Sequence, residues 1–313
     1  MNRTTRVFVY ETTCADPTGT DSGLVSQGRA MRDAMLADLA DLDAVEVSCA
    51  GSAEEEAPGR LQAVRQAPGE LPAEFLQRQA ARHDRVWVVA PETGGLLASL
   101  RAVVPDGQWI GCSADAIAIG GSKRNTARRL REAGIAATDP LDLALAAAPQ
   151  RGDDAWVVKP DDGCGAAGAR RHSGFAAALE DHQERRLRQE DAVLERWVEG
   201  ESLSMSLLCT GGQSRLLAVN RQHIGRTPSG RLRFDGVTRA PQSRHRTQAL
   251  AALGQRIQDA LPGLSGFVGV DVTWHPQRGP VVIEINPRVT CAYEGLSRLL
   301  GHNVAIDLLA LRN

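Results

Sequence analysis

Over its first 112 residues the chain alternates short apolar, β-branched runs with segments of helical period, and a chain so patterned has few folds open to it. RVFVY (Arg6–Tyr10) reads as a strand, ETTCADPTGTDSG as a loop, LVSQGRAMRDAMLADLADL as a helix and AVEVSCAG as a second strand. The next stretch, SAEEEAPGRLQAVRQAPGE, is polar and irregular. LPAEFLQRQAARH is helical, DRVWVVAPETGG is a buried strand ending in a glycine-bearing turn, LLASLRAVVP is a short helix and QWIGC another strand. Strands joined through helices run parallel, so residues 1–112 are expected to form an open α/β layer. Ligands of such sheets bind at the carboxyl ends of the strands. Those ends carry Glu11 and Thr12, and Glu92 and Thr93 in the PETGG turn, as candidate substrate contacts. Polar turns and helix caps account for each of these four equally well when taken singly.

The pattern changes after residue 112. GSKRNTARRLREAGI holds a helix starting near Lys123 and closed by Gly134, and DPLDLALAAAPQRGDD is a helix or a connector. AWVVKP is a strand, and GFAAALEDHQERRL is a helix with Ser173 as its expected N-cap. VLERWV, ESLSMSLLC and SRLLAV read as antiparallel strands, the last two joined by Gly-Gly. Residues 220–241 are polar, basic and rich in turn formers, which fits either a lid or a solvated loop. TQALAALGQRIQDALPG is an amphipathic helix, and a hairpin, a loop and a final helix close the chain. The expected domains are 1–112, 113–197 and 198–313.

Gly163-Cys164-Gly165-Ala166-Ala167-Gly168 spells G-x-G-x-x-G. A dinucleotide fingerprint needs a helix opening directly from the glycines. Here ARRHSG intervenes before the helical pattern resumes. A flexible loop closing over phosphates, with Lys159 on the strand just before it, fits better; a plain surface turn is the alternative.

Lysine usage points the same way. Lysine and arginine total 36, yet only Lys123 and Lys159 are lysines. An ammonium is a compact point charge on a thin stem, and phosphate oxygens suit it.

GVDVTWHPQRGPVVIEINPR carries the densest chemistry. Pairing Trp274 with Val281 across the HPQRG turn sets Asp271 opposite Glu284, and Glu284 and Asn286, two apart, share a face. Two carboxylates and an amide oxygen favour a hard cation such as Mg²⁺, held jointly with substrate phosphates. Arg288 lies two residues further on. A Glu–Arg salt bridge on an exposed face is the plain alternative.

IEINPRVT after a GVDV strand resembles the terminal signature of the ATP-grasp superfamily of carboxylate–amine ligases. GSKRNTARRLREAGI is similar to the helix with that family's first ATP lysine, WVVKPDDGCGAAG to the strand and glycine loop with the second, and LERWVEGESLSMS to its adenine and ribose hinge. The resemblance implies an ATP-grasp fold of mixed α/β and α+β type, with an N-terminal open α/β domain followed by two α+β subdomains gripping ATP. It implies that Lys123, Lys159, Gly163, Gly165 and Gly168 hold the triphosphate. Glu195, Arg196, Trp197 and Val198 would frame adenine, and Glu201 would take the ribose hydroxyls. Asp271, Glu284 and Asn286 would bind about two Mg²⁺, with Mn²⁺ as a substitute. Arg288 and Lys159 would be the catalytic residues, Arg288 stabilising the transferring phosphoryl group or the oxyanion. VYETT, APETGG and INPRVTCAYEGL resemble the branch that joins glutamate to tyramine for methanofuran-type cofactors, adding Thr290 and Tyr293 as substrate candidates. The chain departs from that branch in having Cys291 and Ala292 where Thr or Ser is expected after NPRVT.

The partners expected are small-molecule amino acids and amines; a homodimer stays open. A net charge of −2 with 24% charged residues gives no footing for nucleic acid or an anionic membrane. No apolar run approaches the roughly 18 residues of a membrane span. MNRTTRVFVYETT begins in a strand pattern with no apolar leader, so a cytoplasmic location is expected. The six cysteines form no CxxC pair and the seven histidines no HExxH, so no metal or nucleophile motif competes with the phosphate reading.

Overall fold

A computed structural model of the chain describes residues 4–18, 20, 22–52, 61–142 and 154–311. Most of the connector expected from residue 139, residues 143–153, lies outside the described residues. Three sheets organise the rest.

The first sheet is fully parallel, as its strand–helix alternation requires. Strands β1 (Thr5–Glu11), β2 (Val45–Ala50), β3 (Gln62–Val64), β4 (Arg85–Val89) and β5 (Trp109–Ile110) lie in the order β3-β2-β1-β4-β5. Val7 to Glu11 are buried throughout, because helices cover both faces. Those helices are α1 (Thr12–Ala15), α2 (Ser22–Ala40), α3 (Pro72–Ala80) and α4 (Leu96–Ala102). Within the polar stretch read as irregular, β3 adds an edge strand paired to Ser48–Ala50. Three residues are too few to show a period.

Helices α5 (Ala114–Gly120) and α6 (Lys123–Glu132) follow. The second sheet is small and antiparallel, with β6 (Trp156–Pro160) between β7 (Arg170–His172) and β8 (Ala192–Arg196). It rests on α7 (Phe175–Leu187) through Trp156, Phe175, Ala178 and Leu194. Gly174, not Ser173, is the N-cap of α7. The short β7 escaped the sequence reading because Arg170, Arg171 and His172 show no apolar alternation.

The third sheet is antiparallel, in the order β11-β10-β9-β12-β13. Its strands are β9 (Glu201–Thr210), β10 (Gln213–Arg226), β11 (Leu232–Arg239), β12 (Gly266–His275) and β13 (Gly279–Asn286), and α8 (Arg244–Ala260) packs behind it. Residues 220–241 are therefore the outer hairpin of a sheet, neither a free lid nor a solvated loop. Two short helices, α9 (Leu296–Leu300) and α10 (Val304–Leu309), stand where one final helix was expected. No helix among the described residues is long and apolar enough to cross a membrane.

The segment after α6 joins β13 by Thr138 N–H to Val282 O (3.0 Å) and Val282 N–H to Ala136 O (2.9 Å), across the expected boundary at 197/198. Lys123 thus rides on the third sheet, while Lys159 rides on the second.

Candidate functional site

The three sheets meet around a cavity of about 270 Å³. Lys123, Lys159, Asp271, Glu284, Asn286 and Arg288 all line it.

Lys123 is the first residue of α6, whose N-cap Ser122 accepts from the Asn125 amide. Asp161, at the end of β6, fixes this helix start: it takes the Ser122 hydroxyl (2.6 Å) and the Arg124 amide (2.9 Å). Only 8% exposed, Lys123 reaches Glu284 Oε2 at 3.3 Å and donates to the Gly163 carbonyl. Burial alone would lower its pKa; Glu284 more than offsets this and raises it.

Lys159 is 6% exposed and pairs at 2.6 Å with Glu195, which is 1% exposed. Val157 faces Glu195 across β6 and β8, so lysine and glutamate meet diagonally on one face. The second carboxylate oxygen of Glu195 is buried without a hydrogen-bond partner. An acceptor left so in a cavity wall is a docking point for a ligand donor.

The carboxylates converge as expected, by a different register. Trp274 faces Pro280 rather than Val281. A bulge at Asp271/Val272 then restores Asp271 opposite Glu284. Burial, then Glu284, pushes the Asp271 carboxyl up to about 7, while Gln222 and Ser204 hydrogen-bond it. Burial pushes Glu284 upward too, but Lys123 and Lys159 prevail and hold it below the usual range. Two carboxylates this close resist ionising together unless a cation joins them. Among the described residues no group of three or more His, Cys, Asp or Glu gathers, so the donor set is two carboxylates and the Asn286 amide. That set suits a hard cation that takes its other oxygens from phosphate and water.

Arg288 makes a two-pronged pair with Glu92, at 2.9 and 3.0 Å, and also reaches Asn286 Oδ1 at 3.4 Å. Glu92, read as a substrate contact, instead anchors this guanidinium from the first sheet. Burial opposes the charge on Arg288, but Glu92 outweighs it and raises its pKa.

The glycine loop forms one wall. Gly165 (φ 62°) and Gly168 (φ 70°) occupy the left-handed region, and Ala166 (φ 61°) does so without being glycine. Gly163 and Gly165 line the cavity; Gly168 does not, and packs near Pro160. Val157, Ile224, Leu232, Phe234 and Ile283 give the cavity an apolar end, beside the hinge residues Arg196, Trp197 and Val198. The Trp197 amide already donates to Ala155 O (2.9 Å), whereas no backbone bond engages the Val198 amide among the described residues. Glu201 is held by Arg221 (2.6 Å) and Arg246 (2.9 Å) and is not in the cavity wall, where Ser202 and Ser204 stand instead.

Of the substrate candidates, Glu11 and Thr290 line the cavity. Glu11 is 3% exposed, caps α1 through the Cys14 amide (2.8 Å), accepts the Thr13 hydroxyl (2.8 Å) and pairs with no Lys or Arg among the described residues. The Thr290 hydroxyl is buried without a partner. Thr12 instead spends its hydroxyl on Val89 O, and Thr13 takes its place in the wall. Thr93 reaches Asp162 O beside the glycine loop and is not in the wall. Tyr293 is core: it packs on Trp87 and Phe267 and gives its hydroxyl to Asp38 (2.6 Å). Cys164 and Cys291 line the cavity, and burial pushes both thiols up, away from the nucleophilic thiolate. Ser204 and Gln222 went unread in the sequence; only the Asp271 register could have found Ser204, which faces it on β9.

Known proteins resemble this chain in sequence and in fold. Residues 121–292 match the ATP-grasp domain and residues 31–117 the pre ATP-grasp 3 domain. A tyramine–L-glutamate ligase of Methanocaldococcus jannaschii is 28% identical over 219 residues, 68% of this chain. The match spans 58% of that relative's length. An ATP-grasp superfamily protein from Archaeoglobus fulgidus superposes with TM-score 0.73 at 22% identity, covering 98% of this chain and 88% of that one. D-Alanine–D-alanine ligase from Bacillus anthracis, solved with ATP, does so with TM-score 0.65 at 16% identity, covering 97% and 95%.

Proposed function

The chain belongs to the ATP-grasp family, and we propose that it is an ATP-dependent ligase that joins glutamate to tyramine or tyrosine, in the making of methanofuran- or methylofuran-type cofactors. One observation carries the reading: both lysines of the chain, two adjoining carboxylates and the Arg288 guanidinium face a single cavity. The tyramine–L-glutamate ligase relative supports the choice of substrates.

A substrate carboxylate oxygen attacks the γ-phosphorus of ATP, the bond to the departing ADP oxygen breaks, and an acyl phosphate forms. The amine nitrogen then attacks the acyl carbon; inorganic phosphate leaves, the nitrogen loses its proton, and the amide remains. Catalysis of this kind is placement and charge neutralisation. Lys123 and Lys159 exchange their carboxylate partners for phosphate oxygens, and Gly163 and Gly165 let the loop close over them. The base lies at the apolar end against the Val198 amide. Asp271, Glu284 and Asn286 hold Mg²⁺, or Mn²⁺ in its place. Bound there, the metal neutralises phosphate charge. Arg288, kept charged by Glu92, faces the charge that builds on the transferring group. Glu11 holds a substrate ammonium, since a buried carboxylate beside a cavity needs a cation. The substrates are small molecules, and the reaction is cytoplasmic.

A second reading has its own observation. Cys291 and Ala292 line the cavity where Thr or Ser is expected, which favours another acid or amine on the same machinery. ADP release with Mg²⁺ and ATP, measured over a panel of amino acids and amines, separates the two. Glutamate with tyramine should turn over fastest; release with another pair alone transfers the function to the second reading. Absence of release across the panel overturns both.

A further inference from the structure

Behind the glycine loop lies a second cavity, of about 560 Å³, formed by the exit of the loop, α7 and the β10–β11 turn. Four arginines and three carboxylates line it, and nothing in the proposed reaction uses them. Arg170 and Arg231 face each other across an antiparallel bridge. Like charges set directly opposite destabilise a strand pair unless something lies between them. The Arg170 Nε donates to Ser229 O (2.8 Å), and its terminal nitrogens have no partner among the described residues. The Arg231 side chain, which is exposed, has no partner among the described residues. Arg185 is 8% exposed; its Nε donates to Asp181 (3.0 Å), and its terminal nitrogens have no hydrogen-bond partner among the described residues. Two of the three carboxylates are committed, Asp181 to Arg185 and His172 and Glu184 to Arg188 at 3.6 Å, while Glu190 lines the cavity with no ion pair among the described residues.

We propose that Arg170, Arg185 and Arg231 form a site for a small divalent oxyanion, of the phosphate class, separate from the nucleotide cavity. Guanidinium forks suit the tetrahedral oxyanion, and the anion removes the repulsion across the bridge. The site is coupled to the nucleotide. Ala169 and Leu232 line both cavities, and Leu232 donates its amide to Ala169 O (2.9 Å). An anion joining α7, the turn and the loop exit therefore restrains the glycine loop at its Gly168 end, and a ligand favouring the closed loop raises nucleotide affinity.

The test is calorimetry on the full chain, saturated with Mg²⁺ and a non-hydrolysable ATP analogue so that phosphate cannot enter the first cavity. Inorganic phosphate is the titrant, with sulfate in parallel and chloride as the monovalent control. One phosphate per chain is expected, with sulfate following and chloride not. Arg231→Ala, an exposed change, should weaken phosphate at least tenfold, and Arg170→Ala likewise. In a second titration, phosphate should tighten the analogue about two- to threefold in the wild type and leave its affinity unchanged in Arg231→Ala. Arg185→Lys keeps the charge beside Asp181 but loses the fork; it should weaken phosphate with the fold preserved by circular dichroism. Absence of phosphate binding to the analogue-loaded wild type overturns the proposal. So does undiminished phosphate binding in both Arg231→Ala and Arg170→Ala.

Discussion

The two lysines are buried to the same degree and face the same cavity, but they stand on different supports. Lys159 and Glu195 belong to neighbouring strands of the small second sheet, so their ion pair is internal to it. Lys123 and Glu284 join a helix start to β13, on the frame that also carries Asp271, Asn286 and Arg288. One half of the site is a clamp with its own charge balance. The other is a rigid face whose balance depends on what is bound. Glu195 has Lys159 as its one ion-pair partner among the described residues, whereas Glu284 answers to Lys123 and Lys159 and presses on the Asp271 carboxyl.

Turnover gives the hardest test of this division. Glu284→Ala and Lys159→Ala should each lower ATP-dependent ADP release by at least about 10²-fold, since each removes charge placed for the transferring phosphate. Near-wild-type turnover in either variant would remove that half from the site. Stability should then tell the halves apart. Lys159→Ala strands Glu195 as a buried, uncompensated carboxylate and should cost about 3–5 kcal/mol by urea unfolding. Lys159→Ala/Glu195→Gln should recover most of it. Lys123→Ala should cost clearly less, because Asp271 and Glu284 can share a proton; equal losses would erase the distinction.

The rigid face should also respond to pH. With Asp271 raised to about 7, the metal-free protein loses stability as pH rises from the ordinary carboxylate range through about 7, and Mg²⁺ restores it. Mg²⁺ affinity, read by calorimetry at constant ionic strength, should fall up to about tenfold per unit as pH drops below 7. A flat profile would mean that Asp271 is not a ligand. The smallest effect belongs to the joint between the halves: Ser122→Ala removes a helix cap and should cost about 1 kcal/mol.

Much of this was legible because chemistry forced unusual residues into regular patterns. Carboxylates within apolar strands, and two lysines among so many arginines, mark the cavity without any structure. The parallel sheet followed from its alternation. What stayed hidden was nonlocal. The predicted hairpin register was off by one at Trp274, and only the bulge put Asp271 where it was expected. Tyr293 reads as a substrate contact until Asp38, 255 residues away, takes its hydroxyl. Residues 220–241 look solvated because Arg221 and His223 alternate with Gln222 and Ile224, and only the latter two reach the cavity. The Glu195 pair was missed because hinge position suggested adenine and gave no sign of the diagonal neighbour on β6.

Asp161 is the small detail with the widest reach. It ends the strand of one lysine and seats the first turn of the other's helix. Its carbonyl takes the Lys123 amide as well (3.0 Å). One residue thus ties together the two supports, and its removal would loosen the footing of both ammonium groups at once.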